Sequence, residues 1–225
     1  AKHSLLKALF PLDLNADFAT FDVQFGNITR PTHQNTSWDR AKFESCGHKY
    51  ADISESDYGV AILNDCKYGY SVINNVIGLS LLRGATYPNP DSDMGKHNFT
   101  YSLFAHEGAA RNGEVERQAF MLNNPLQTFG KASGDFKAVS FVACSDEKIN
   151  IGAVKRAENG EGYIVRLNET NNARHKVTLE FSETIKAAYL CDLLENNQAQ
   201  LQVKKNKIEL NVKPFEIITI RVERE

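Results

Sequence analysis

The chain has 225 residues, 42% of them hydrophobic, with a mean hydropathy of -0.40, enough for one or two ordinary cores and no wholesale disorder. Its 26 Lys and Arg against 28 Asp and Glu leave a net charge of -2, and the basic residues are scattered, so no phosphate-neutralising stripe exists and nucleic acid is not an expected partner. No apolar run reaches the length of a membrane helix, and the opening AKHSLLKALFPLDLN meets Pro11 too early for a secretory signal, so neither membrane nor export is expected.

Strand signals run the length of the chain. Phe21, Val23 and Phe25 share one face while Asp22 and Gln24 point the other way. Short β-branched and aromatic runs follow at 58–64 (YGVAILN), 76–82, 99–104, 138–144, 162–168, 175–181 (HKVTLEF), 207–212 (KIELNV) and 215–222. Asn, Gly, Asp and Ser clusters separate them, the pattern of an all-β antiparallel sandwich. Helix is expected only as a turn or two around 113–121. A boundary between about 124 and 138, in the linker-like stretch NNPLQTFGKASGDFK, gives a first unit over 1–130 and a smaller β-sandwich over 138–225. The second has about seven strand candidates and closes, after Pro214, on an edge-like strand.

Three stretches could carry chemistry. In RPTHQNTSWDRAKFE (30–44), Arg30, His33, Asn35, Asp39 and Arg40 surround Trp38, the chain's single tryptophan. Arg, Asp and Asn suit sugar hydroxyls and an indole stacks on a pyranose face; equally, Asp39 and Arg40 could pair locally while Trp38 plugs a core. The loop 82–106 holds Asp91, Asp93, His97 and His106; Asp-x-Asp followed by His resembles the ligand types of a metal site, although both aspartates could instead close turns around Pro88 and Pro90. In LNDCKYGYS (63–71), Asn64, Asp65 and Gly69 suit a hairpin turn with Lys67 and Tyr68 at its tip. Cys46, Cys66, Cys144 and Cys191 form no C-x-x-C pair and read as buried reduced thiols. The sequons at Asn27, Asn35, Asn98 and Asn168 lie largely in strand-like or compact segments and are discounted. No G-x-S-x-G, P-loop, G-x-G-x-x-G or H-E-x-x-H occurs, and no catalytic pair or metal ligand set is assigned.

The stretches RPTHQNTSWDRAKFESCGHKYADISESDYGVAILNDCKYGYS and LSLLRGATYPNPDSDMGKHNFTYSLFAHEG, then AVKRAENGEGYIVRLNE and KPFEIITIRV, resemble the carboxyl-terminal half of family 38 α-mannosidases of the cytoplasmic type. The resemblance covers nearly the whole chain. It departs at Tyr50, where Trp is usual, and at Gly84, where Ser or Ala is commoner. It implies a large sandwich of the galactose-mutarotase type followed by a smaller one, packed on an amino-terminal catalytic barrel. That barrel would hold the nucleophilic Asp and a zinc or other divalent metal, with no cofactor in this region. The implied role of this region is to buttress the barrel and lend rim residues to a mannoside or oligosaccharide site: Arg30, His33, Asn35, Asp39, Arg83, Asp91, Asp93 and His97. The barrel-facing side should expose apolar surface and can drive homo-oligomer formation. The competing readings are a stand-alone carbohydrate-binding module, and a mutarotase-like epimerase using His33, His97 or His106 as acid or base.

Overall fold

The computed structural model describes residues 4–112, 114–130, 134 and 138–224. They form two compact units, Ala1–Leu126 and Gln127–Glu225. Residues 131–133 and 135–137, within the expected linker, lie outside the described residues.

The first unit runs β1 (Leu5–Pro11), β2 (Phe18–Val23), β3 (Gly26–Pro31), α1 (Ser37–Ala41), β4 (Ser45–Cys46), β5 (Tyr50–Ser54), β6 (Tyr58–Asn64), β7 (Gly69–Ile73), β8 (Val76–Arg83), β9 (Tyr101–Glu107) and α2 (Glu114–Asn123). The strands make two antiparallel sheets, β1-β8-β7-β4 and β3-β2-β5-β6-β9. Between them lie Phe21, Ile53, Ile62, Tyr70, Ile77 and Leu79, each at most 2% exposed. Burial of each such side chain is worth about 1.5–3 kcal/mol relative to exposure. The other face of the larger sheet buries Tyr50, Ala61 and Leu63 beneath Val115 and Ala119 of α2. Two-sided cover explains why β6 reads as a continuous apolar run rather than an alternating one.

Several expectations change here. Helix α2 has ten residues, nearly three turns, because Val115, Ala119 and Leu122 supply an apolar stripe for the sheet; α1 was not anticipated. The alternation at 21–25 ends early: Phe25 sits exposed at φ 58° in the β2–β3 turn, and Asp22, on the face opposite Phe21 as expected, is only 2% exposed. The segment 63–71 is not a hairpin. It crosses from β6 in one sheet to β7 in the other, Asn64 Oδ1 accepting the Cys66 amide at 3.0 Å. Of the cysteines only Cys191 is buried; Cys46 and Cys66 are exposed.

The second unit contains β10 (Val142–Cys144), β11 (Ile149–Arg156), β12 (Tyr163–Glu169), β13 (His175–Phe181), β14 (Ile185–Cys191), β15 (Asn197–Gln200), β16 (Val203–Lys204), β17 (Lys207–Val212) and β18 (Ile217–Arg224). Its sheets are β10-β13-β17-β16 and β11-β12-β18-β14-β15, enclosing Leu167, Leu179, Ile208, Ile220 and Val222. The strand after Pro214, expected at an edge, is the centre of its sheet. β18 pairs with β12 on one side and β14 on the other, and Ile218–Val222 are all buried. The described residues therefore form two antiparallel β-sandwiches, with the helices α1 and α2 in the first.

Candidate functional site

Arg30, near the end of β3, lies with its guanidinium carbon 4.5 Å from the Phe21 ring centroid. Burial lowers its pKa, opposed by nearby Cys46. Beyond it, Thr36 caps α1: its hydroxyl accepts the Asp39 amide at 3.1 Å while Asp39 Oδ2 accepts the Thr36 amide at 3.0 Å, a reciprocal capping box. The same carboxylate accepts the Thr36 hydroxyl at 2.7 Å and lies 3.6 Å from His33 Nδ1. The two Thr36 hydrogen bonds, outweighing slight burial, hold its pKa below the usual carboxylate value. Arg40 donates instead to the Gln34 carbonyl at 3.4 Å, so no Asp39–Arg40 pair forms. Trp38 is 79% exposed and plugs no core; Asn35 is exposed beside it.

Arg30, His33, Gln34, Asp39, Lys42 and Ser45 line a cavity of about 10 Å³. It admits a single water and no sugar ring. Arg30 Nη1 and His33 Nδ1 are buried without hydrogen-bond partners, which a water there would satisfy.

The second group lies elsewhere. Arg83 ends β8, exposed, beside a cavity of about 510 Å³ that Tyr87 and Thr86 also line. Asp93 lines an adjoining cavity of about 360 Å³ whose walls are mainly Leu5, Leu6, Leu82, Pro90 and Met94. The turn around Pro90 is closed by Asn89, whose Oδ1 accepts the Asp91 amide at 3.0 Å. Asp91 is exposed, and His97 Nε2 lies 3.0 Å from the Asp93 carbonyl rather than its carboxylate. The Asp-x-Asp and His spacing thus assembles no ligand set. Among the described residues no group of three or more His, Cys, Asp or Glu could hold a metal ion, so this region does not fit the zinc the resemblance implies for the whole enzyme. The two groups line different cavities. Arg83 stands seven residues along β8 from Val76, the partner of Ile73 in the first cavity, about 23 Å at strand rise. His33, His97 and His106 occupy three separate environments and do not converge.

What sequence reasoning missed is a set of buried charges. Lys49 donates to Glu116 of α2 and lies 3.6 Å from Asp22 Oδ1; its amide donates to Asp22 Oδ2 at 2.8 Å. Burial pushes the Glu116 carboxyl up to about 7, helped by Asp22 and opposed by Lys49. Burial likewise raises Asp22, against Lys49. Nearby, His106 Nε2 bonds Asp52 Oδ2 at 2.6 Å, and Ser54 donates to the same carboxylate. Burial alone would lower the His106 pKa, but the hydrogen bond and charge of Asp52, with two backbone contacts, leave it raised. Gly59 makes room for that ring: a Cβ there would lie 2.5 Å from His106 Cε1. The available signal was Asp52 itself, a carboxylate inside the strand YADIS, since a buried charge demands a partner. Asp22, His48, Lys49, Asn64 and Tyr68 also line an open cavity of about 230 Å³. These groups clamp α2 and β9 to the sheet; nothing in the arrangement presents an activated nucleophile.

Two antiparallel sandwiches, one in each unit, define the class of fold: an all-β region of sandwich domains. The family model described as "Glycosyl hydrolases family 38 C-terminal domain" matches residues 1–91, and "Glycosyl hydrolases family 38 C-terminal beta sandwich domain" matches 148–220. The chain belongs to glycosyl hydrolase family 38, as part of its C-terminal region. It is 41% identical to Alpha-mannosidase G of Dictyostelium discoideum and 37% identical to Alpha-mannosidase 2C1 of Homo sapiens, covering 97% of this chain in both cases. It spans 21% and 22% of those relatives, about a fifth of their length. The crystal structure of an alpha-mannosidase from Enterococcus faecalis V583 superposes with a TM-score of 0.81 at 20% identity, over 97% of this chain and 26% of that one, a likeness of fold. No helix among the described residues is long and apolar enough to cross a membrane.

Proposed function

We propose that this chain is the C-terminal β region of a retaining, metal-dependent α-mannosidase that hydrolyses terminal α-mannosyl residues of mannosides or oligosaccharides. The observation that carries the reading is the 41% and 37% identity to alpha-mannosidases across 97% of the chain. The metal and the nucleophilic carboxylate belong to an N-terminal catalytic barrel, and this region alone is inactive. It buttresses that barrel and completes the rim of its sugar site with two loops, Arg30, His33, Asn35 and Asp39 in one, Arg83, Asp91, Asp93 and His97 in the other. The exposed Trp38 and Tyr87 at those loops support a rim role, since each offers a ring face to solvent. Four unpaired cysteines fit a reducing, cytoplasmic setting.

Hydrolysis of p-nitrophenyl α-mannoside is the test, run on the 225-residue chain and on the parent polypeptide with zinc, with cobalt and with chelator. Activity confined to the metal-loaded parent is expected; turnover by the 225-residue chain overturns the reading. Exposure of Trp38 favours one second reading, a carbohydrate-binding module, which predicts measurable mannoside affinity in the 225-residue chain that Trp38→Ala abolishes.

A further inference from the structure

The open cavity beside Asp22 is assembled from four separate stretches of the first unit. Asp22 and Gln24 come from β2 and the turn after it, His48 and Lys49 from the approach to β5, Tyr68 from the crossover between the sheets, and Asn123 from the end of α2. Backbone bonds bring two of the rings together. The His48 amide donates to the Asp22 carbonyl at 2.9 Å and the Gly47 amide to the Tyr68 carbonyl at 3.1 Å. The His48 and Tyr68 rings then lie 5.0 Å apart between centroids, tilted by 54°, and Tyr68 stays 59% exposed at the mouth. On the wall, Asn123 Nδ2 donates to the Asn64 and Ala119 carbonyls at 3.0 and 2.9 Å, which commits both its protons and leaves Oδ1 to accept. Deeper in, the buried Asp22 carboxylate stands 3.6 Å from Lys49 Nζ, an acceptor and a donor side by side.

At about 230 Å³ the cavity is more than ten times the volume a lone water needs, about 10–15 Å³. An anion would meet the Asp22 carboxylate and a cation the Lys49 ammonium. A neutral polyol finds hydrogen-bond partners in both, and the exposed Tyr68 ring beside them gives the apolar contact that a pyranose face takes. We infer that this cavity is a sugar site, holding one neutral pyranose with adjacent hydroxyls among Asp22, Lys49 and Asn123 and its apolar face on Tyr68. That the sugar is mannosyl rests on the α-mannosidase reading above; the cavity itself asks only for a neutral ring. Asp22 points to the opposite side of β2 from Phe21, so the site is separate from the Arg30 and His33 cavity that Phe21 lines.

Titration of the 225-residue chain with methyl α-mannoside, followed by amide NMR, and hydrogen exchange of the parent polypeptide with and without that sugar test the site. Shifts are expected at Gln24, Phe25, His48, Lys49 and Tyr68, saturating near ~1 mM, the weak end of the affinity scale. In the parent, exchange over 66–69 is expected to slow when the sugar is added. Tyr68→Ala is expected to weaken binding about tenfold, a lost ring contact, while Tyr68→Phe and Trp38→Ala hold it within about twofold. Shifts confined to 35–40, shifts that do not saturate, equal shifts with glycerol, full binding by Tyr68→Ala, or unchanged exchange in the parent each overturn the inference. Mannoside hydrolysis by the same parent separates the two readings. An active parent whose 66–69 segment ignores the sugar sinks the sugar site alone, and an inactive parent whose segment responds sinks the α-mannosidase reading alone.

Discussion

Along β17 of the second unit, Ile208, Leu210 and Val212 are buried while Lys207, Glu209 and Asn211 face solvent, the regular alternation of a covered strand. Along β9 of the first unit the alternation is inverted, with core-facing Tyr101, Leu103 and Ala105 exposed and the outer Phe104 and His106 covered by the α2 side. The units also treat buried charge differently. Glu169 of the second unit is met mainly by backbone, accepting the amides of Asn171 and Asn172 at 2.6 and 2.9 Å and, from 46 positions away, that of Phe215 at 2.8 Å, with His175 Nε2 3.5 Å off. The first unit sets Asp22, Lys49 and Glu116, and Asp52 against His106, across distant elements. A sandwich closed on itself can meet a fully buried carboxylate mainly with backbone amides, though here too His175 and Asp146 pair across 29 positions at 2.8 Å. One that must also hold a helix on its outer face, with one flank open, leans on side-chain pairs.

The sharpest way to break this comparison is Asp52→Ala, which strands His106 in a site where its side chain is 3% exposed. Loss of about 3–5 kcal/mol is expected, as for one partner removed from a buried pair; urea unfolding followed by hydrogen exchange should show it in β5, β6 and β9 and not in β13 or β17. Next, Leu179→Ala in the sealed core should cost about 3 kcal/mol, whereas Leu103→Ala on the open flank of the 225-residue chain should cost less than about 1 kcal/mol. A similar penalty at both sites would mean that the flank is covered.

The pH response should separate the units by sign. Glu116 binds its proton more tightly folded, about 7 against an ordinary 4.5, so its contribution is complete below 4.5 and is lost as pH rises through 7. Asp22 and His106, both raised, act in the same direction, His106 losing its contribution above its ordinary 6.5. In the second unit, Asp146, raised by burial but lowered further by the Lys148 amide and by His175, and Glu195, lowered by Lys155, contribute above their ordinary values and lose that contribution as pH falls. Exposed Asp39, Asp65 and Glu114 oppose the first trend but are screened by solvent. Exchange protection of α2 should therefore fall between pH 5 and 8 while that of β13 holds, and Glu116→Gln should flatten the α2 profile. An unchanged profile in that variant would remove Glu116 as the cause. The smallest effect is local: Thr36→Ala, which removes the α1 cap, should cost about 1 kcal/mol, read as faster exchange over 37–42 alone.

Much of the fold was legible. The runs 58–64, 175–181 and 207–212 are strands with those same limits, because β-branched and aromatic residues stop at turn-forming neighbours. Strands β4, β15 and β16 are too short to carry a pattern, the longer β3, β5, β7, β11 and β14 were not marked out by the runs, and α2 was undersized because its apolar stripe is sparse. Of the candidate site, the spacing of the 30–40 loop led to a real grouping of Arg30, His33 and Asp39, while that of Asp91, Asp93 and His97 did not.

By itself the sequence determined the all-β class, about half of the strand positions and, through long ordered motifs, membership of family 38. Tertiary structure alone decided that Asp22 lies inside, that β18 is central and that the core side of β9 stands open. The physical reason is that a period of two fixes which residues share a face but not what covers it. The covering groups come from far along the chain, as Lys49 reaches Glu116 across 67 positions and His106 reaches Asp52 across 54.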